Sequence, residues 1–203
     1  MDFKTLFDSE THEGRRKAMQ MGVVALNLGT PEAVDDDHFV EDGNMKNGAY
    51  TLAAKKPDVP RNLRVTVTKA TGNDTMGKLT IKGKDFFGQA IEEEIVPNNG
   101  DTSSGVKDGD LAFAEIESIT GSGWVISAPG QNDQIKIGYG NKIGLPVALS
   151  TIDDVVLCLF DRAVQTHTAV VADPASVAGT TIDASAGTYD GAKVMQALVA
   201  ARE

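Results

Sequence analysis

Apolar and polar residues alternate most clearly between Pro57 and Val96. In an extended chain Leu63, Val65 and Val67 point one way, and Arg64, Thr66 and Thr68 the other, which predicts a strand with one buried face. Pro57 and Pro60 disfavour helix just before it and set a boundary. Thr71-Gly72-Asn73-Asp74 has turn chemistry. Leu79 and Ile81 resume the alternation over Lys78 to Lys82, Gly83 to Gly88 makes a loop, and Ala90 to Val96 returns as another strand. The stretch therefore reads as a β-meander. Glu93 breaks its pattern, since it lies between Ile91 and Ile95 on the face that should be apolar. Either that strand is a sheet edge, where an inward charge blocks edge-to-edge pairing, or a partner covers it.

Strand signals continue downstream. Pro97 to Asp101 is a turn, and Thr102 to Asp110 a polar loop. Phe113, Ile116 and Ile119 recur every third residue, and Leu111 to Thr120 is read as one strand with a bulge. Gly121-Ser122-Gly123 leads into Trp124 to Ser127, and Pro129 to Asp133 is a turn. Gln134 to Gly140 places Ile135, Ile137 and Tyr139 on one face. Val155 to Phe160 is a continuous apolar run, suited to a strand covered on both faces. Thr166 to Val171 and Thr180 to Asp183 are extended. Ala192 to Arg202 has helical propensity, but the strand rhythm before it favours a final strand. Turn signals at intervals of about 8–12 residues indicate a mainly β fold, an antiparallel β-sandwich or jelly-roll-like domain over 57–203.

Residues 1–56 differ. Phe3, Leu6 and Phe7 form a small apolar cluster at near-helical spacing, and the stretch from Pro31 to Gly48 is acidic and turn-rich. The segment reads as an extended N-terminal arm with apolar anchor points, docking on a partner or packing across its own β-domain. Arg15-Arg16-Lys17 beside Glu10 and Glu13 reads as a solvated face.

Composition narrows the function classes. The 203 residues are 41% apolar but only 5% aromatic, so the core is built of Val, Ile, Leu and Ala. A net charge of −10 repels phosphate backbones and argues against nucleic acid as a partner. The single cysteine, Cys158, precludes an intrachain disulfide and reads as a buried small hydrophobe. The mixed, charged first residues do not resemble a secretory signal, and no apolar run approaches the roughly 20 residues of a membrane span. Synthesis in the cytoplasm is expected.

A search for chemistry finds little. His12, His38 and His167 have no second His or Cys at ligand spacing. Asp35-Asp36-Asp37-His38 lacks the alternating ligands and closing carboxylate of a calcium loop, and reads as an acidic solvated turn. Of Glu92-Glu93-Glu94, only Glu92 and Glu94 share a strand face. Gly138-Tyr139-Gly140-Asn141-Lys142 lacks the spacing of a phosphate loop, and there is no Gly-x-Ser-x-Gly elbow. Asp161 and His167 have no candidate nucleophile nearby in sequence. Trp124 and Tyr139 suit core or interface packing better than sugar stacking. The residues thus predict no catalytic, cofactor or metal site, and support a binding or structural role.

The order of several motifs carries a resemblance. Asp58-Val59-Pro60-Arg61-Asn62 leads into the first strand. Leu79 to Glu93 holds a strand, Gly83, Asp85-Phe86-Phe87-Gly88 and a second strand. Ala112 to Ile119 follows, then Ile137-Gly138-Tyr139-Gly140-Asn141-Lys142-Ile143-Gly144-Leu145-Pro146. Over residues 57 to 146, with a weaker echo near Thr188 to Lys193, this resembles the tailed-bacteriophage capsid decoration, or cement, proteins. The resemblance implies a virion structural protein on the outer capsid surface, synthesised in the host cytoplasm. It implies a homotrimer that binds the major capsid protein, without cofactor, nucleic acid or membrane. Phe3, Leu6 and Phe7 are the candidate partner-binding residues. A tail or head–tail component, or a carbohydrate-binding adhesive module, are the other readings.

Overall fold

The computed structural model describes residues 22–70, 74–97, 105–165, 169–183 and 189–201. Among them fourteen strands run in order: β1 (Gly22–Asn27), β2 (Asp35–Asn44), β3 (Gly48–Ala49), β4 (Arg61–Thr68), β5 (Lys78–Lys84), β6 (Ala90–Ile95), β7 (Gly105–Phe113), β8 (Glu115–Ser122), β9 (Gln134–Gly144), β10 (Val155–Phe160), β11 (Ala163–Gln165), β12 (Ala169–Val171), β13 (Thr181–Asp183) and β14 (Met195–Ala201). A short 3₁₀ turn over Ile152–Asp154 precedes β10. The fold is mainly β, and every strand pairing among the described residues is antiparallel.

The strands form three sheets, ordered β1-β14-β10-β11, β12-β13-β9-β4-β7 and β3-β8-β5-β6. Strand β9 is the spine. Along one edge it pairs with β4, from Arg61 opposite Ile143 to Thr68 opposite Gln134. Its other edge is shared, with β2 beside its first half and β13 beside its end. The larger core takes Leu63, Val65 and Val67 from β4 and Ile135, Ile137 and Tyr139 from β9. Leu79 and Ile81 from β5, and Ile116 and Ile119 from β8, complete it. A second core gathers Val155, Cys158 and Phe160 from β10 with Met195, Ala197 and Val199 from β14, and β9 contributes Ile143. Both periodicities read from the sequence, in β4 and in β9, therefore mark true core faces.

Several expectations change. Residues 111–120 are not one bulged strand: β7 ends at Phe113, β8 begins at Glu115, and the two lie in different sheets. Phe113, Ile116 and Ile119 all enter the larger core, so their three-residue spacing records a sheet switch at Ala114. The polar stretch before it is largely strand, since β7 begins at Gly105. Its polarity reflects an edge position at which Val106 stays exposed. Trp124 to Ser127 makes an isolated bridge, Val125 with Thr75. β10 is not covered on both faces, because Val156 is exposed beside a bulge.

The acidic stretch read as turns is β2. Tertiary pairing with β9 overrides its turn propensity, and two register shifts absorb the irregularity. Residues 22–56 supply β1, β2 and β3, which pair with β14, β9 and β8. Of the two fates open to the N-terminal segment, packing across its own β-domain describes these residues. Phe3, Leu6 and Phe7 lie outside the described residues.

Candidate interaction site

Arg61 opens β4 at the junction of the two cores, with its side chain fully buried. Asp58, three residues earlier, returns its carboxylate to Nη1, which lies 3.2 Å from both oxygens. Nη1 also donates to the Glu32 carbonyl and Nε to the Gly140 carbonyl, each at 2.8 Å. The guanidinium carbon lies 4.4 Å from the Tyr139 ring centroid and 5.3 Å from that of Tyr189, a cation–π arrangement on both sides. One ring belongs to each core. Arg61 thus ties the two cores together.

An open cleft of ≈ 630 Å³ lies beside this junction, lined by Glu32, Asp35, Asp36, Arg64, Tyr139 and Asp190 among others. Its groups hold one another. Arg64 makes a two-pronged bond to Asp108, at 2.8 and 3.0 Å. Asp190 accepts the backbone N–H groups of Lys193 and Ala192, which hold its carboxyl below the usual range. The Tyr139 hydroxyl donates to Glu32 at 3.3 Å. Burial, and after it the charges of Asp58 and Glu32, push that phenol well above its ordinary value, so it remains a donor. Among the described residues no group of three or more His, Cys, Asp or Glu side chains is placed to hold a metal ion.

The residues singled out in the sequence are dispersed. His38 Nε2 lies 2.8 Å from the Lys56 carbonyl, Asp36 lies 3.9 Å from Arg64, and Asp37 lies 3.7 Å from Lys136. The Asp-rich run is therefore a strand lined with ion pairs. Glu92 and Glu94 face solvent and pair with Lys82 and Lys78. Cys158 is buried, and burial pushes its thiol up to about 11. Trp124 and Tyr139 are core residues, too buried to stack on a sugar. Asp161 and Arg162 both have positive φ and form the two-residue turn between β10 and β11. His12 and His167 lie outside the described residues.

The glycine run in β9 has a packing reason. A Cβ on Gly138 would stand 1.7 Å from the Asp35 carbonyl oxygen, and one on Gly140 would stand 2.7 Å from the Asn62 side chain. The glycines let β2 and Asn62 approach the spine; they do not cradle a phosphate.

Of the two readings of the misplaced charge at Glu93, the structure shows the sheet edge: β6 is the edge of its sheet, and the side chain is covered by this chain's own β7, of the neighbouring sheet. Its carboxylate accepts the Asp110 N–H at 2.5 Å, while Oε2 is buried without a hydrogen-bond partner. Burial pushes the Glu93 carboxyl up, against the lowering effect of the Asp110 and Leu111 N–H groups. A raised folded-state value means stability that is full below the ordinary glutamate range and lost as pH rises through the raised value. Glu93→Gln is therefore expected to gain stability relative to the parent as pH rises from acid to neutral. Urea midpoints across that range check this, and a pH-independent difference would contradict it.

The feature that sequence reading missed is the exposed aromatic pair on the β5–β6 turn. Asp85 fixes it: one carboxylate oxygen accepts the N–H groups of Phe87 and Gln89, at 2.9 and 2.8 Å. The Asp85 N–H donates to the Gln89 carbonyl, and Gly88 supplies the positive φ of +78°. On this braced tip Phe86 and Phe87 are 47% and 59% exposed, with ring centroids 5.3 Å apart and nearly perpendicular. Two adjacent aromatics between Asp and Gly were the available signal, since neighbours in an extended chain cannot both face one core. The chain matches no protein-family model, no curated protein and no solved structure.

Proposed function

We propose that this chain is a bacteriophage virion structural protein: a capsid decoration, or cement, protein that binds the major capsid protein lattice and stabilises the expanded head. The observation that carries the reading is the braced hairpin tip. A rigid antiparallel body holds two aromatic side chains out in water, a placement suited to a protein surface that covers them. The assignment to a capsid rests on the resemblance over residues 57 to 146. In this reading the two sheets around the larger core form a jelly-roll-like β-sandwich, and three copies make a homotrimer. Phe3, Leu6 and Phe7 anchor the segment ahead of β1 on a neighbouring capsid subunit. The net charge of −10 suits the outside of a shell around DNA. No cofactor, catalytic step, nucleic acid or membrane enters.

The mechanism is mechanical. A protein that binds the expanded lattice, and not the unexpanded one, adds its binding free energy to the expanded state. Several contacts within one oligomer reinforce each other, because each later contact is effectively intramolecular. A truncation tests the anchor. It must stop at residue 21, because β1 begins at Gly22 and pairs with β14 along its whole length. Removing residues 1–21 is expected to abolish binding to expanded heads while leaving the far-ultraviolet circular dichroism spectrum intact. Unchanged binding by the truncated, folded protein would remove Phe3, Leu6 and Phe7 from that role.

A further inference from the structure

We propose that the cleft between the Met45–Asn47 segment and the Trp124 loop binds an extended peptide of a partner protein. The Trp124 indole N–H and the Asn132 side-chain oxygen hold one of its main-chain amides, and Lys46 meets an acidic side chain beside it. The Trp124 ring belongs to the larger core and is only 6% exposed. Among the described residues its buried Nε1 finds no hydrogen-bond partner, and neither does the buried Asn132 Oδ1. Both residues line one space of ≈ 380 Å³, together with Met45, Lys46, Asn47 and Ile126 among others. Both also flank one stretch of backbone. Asn132 Nδ2 donates to the Met45 carbonyl at 2.6 Å. A Cβ on Gly121 would meet Nε1 at 2.6 Å and the Lys46 carbonyl oxygen at 2.2 Å, which puts the indole nitrogen beside Lys46.

The cleft is built and held. Asn47 Nδ2 donates to the Trp124 carbonyl at 3.0 Å, and its Oδ1 accepts the Trp124 N–H at 2.9 Å. Asp74 fixes the far side by accepting the N–H groups of Ser127 and Asp133, at 2.9 and 3.1 Å. The Met45 N–H donates to the Asp133 carbonyl at 3.0 Å. Donor and acceptor are therefore in place before a partner arrives, which lowers the cost of binding. A buried donor or acceptor left unmade is costly, and a ligand that meets both removes that cost.

One donor and one acceptor match a secondary amide, whose carbonyl accepts and whose N–H donates. An anion such as phosphate would meet the donor but face the Asn132 oxygen. A cation would meet Lys46, the only charged residue among the described lining. A sugar hydroxyl would meet both atoms, but the Trp124 ring packs in the core and offers no stacking face. A second space of ≈ 440 Å³ shares Asn44 and Lys46 with the first and runs past Val40, Glu41 and Tyr50. The cleft thus continues along β2, as an extended chain requires. Ile126, 49% exposed, offers apolar contact to a neighbouring side chain. The inference does not rest on the capsid reading, and either can fail alone.

The test is titration of the full-length, ¹⁵N-labelled protein with the blocked peptide acetyl-Ala-Glu-Ala-amide into the millimolar range. The chain has one tryptophan, so its indole N–H gives a single signal. That signal is expected to move saturably, together with the Asn132 side-chain amide. Trp124→Phe keeps an aromatic ring in the core but deletes the donor, and should weaken binding about tenfold, read on the Lys46 and Ile126 amides. Should that variant misfold, Lys46→Glu replaces it: it should lose the acidic peptide and gain acetyl-Ala-Lys-Ala-amide. An indole signal unmoved by the peptide would overturn the site, as would unchanged affinity in either variant. A saturable shift with maltotriose and none with the peptide would overturn it in favour of a glycan.

Discussion

Arg61→Met is expected to destabilise the protein by about 3–5 kcal/mol, the usual cost of removing one partner from a buried ion pair. The methionine fills much of the space between Tyr139 and Tyr189 but provides no donor. Asp58, whose side chain is only 11% exposed, would keep a carboxylate without its guanidinium. The buried carbonyl of Gly140 would lose this donor as well, and an unsatisfied buried group costs roughly 1–3 kcal/mol. Adding Asp58→Asn to Arg61→Met should recover part of the loss, because the orphaned charge goes with it. Urea denaturation of the parent, the two single variants and the double variant measures this. A double variant as unstable as the sum of the singles would show that the charge pair is not the source of the loss.

Gly138→Ala is expected to cost about 2–4 kcal/mol, at or above the usual range for overpacking. The added methyl would meet a backbone oxygen, that of Asp35, with the Asp35 and Asp36 carbonyl carbons at 2.7 Å. No side chain can swing aside to make room, so β2 must move away from β9. Phe39 and Val40 of β2 belong to the larger core, so the damage should reach it. Amide exchange is expected to accelerate first at Val40 and Gly43, which pair with Ile137 and Ile135. Fast exchange confined to the β10–β11 hairpin, with β2 still protected, would contradict this account of the glycine.

How far the sequence could be read follows from which contacts are local. Leu63, Val65 and Val67 announced their strand because one face is buried and the other is not. Glu93 announced a sheet edge because a carboxylate there fits no ordinary core strand. β14 carries helix-forming residues, yet it is a strand, since β1 and β10 hydrogen-bond to its two edges and override propensity. What stayed hidden depends on partners distant in sequence. The switch of sheets at Ala114 mimicked a three-residue period. Asp35 to His38 looked like a solvated turn because Arg64, Lys136 and the Lys56 carbonyl lie 18 or more residues away. The Phe86–Phe87 tip passed as a plain loop, because its exposure follows from Asp85 fixing the turn.

The capsid reading stands most directly on a count: the number of copies of this chain in each purified virion, by quantitative mass spectrometry against the major capsid protein. The account predicts many copies in a fixed ratio to the capsid subunits of expanded heads, and none on unexpanded ones. A handful of copies per particle, as a tail or head–tail component would give, or none at all, would contradict it.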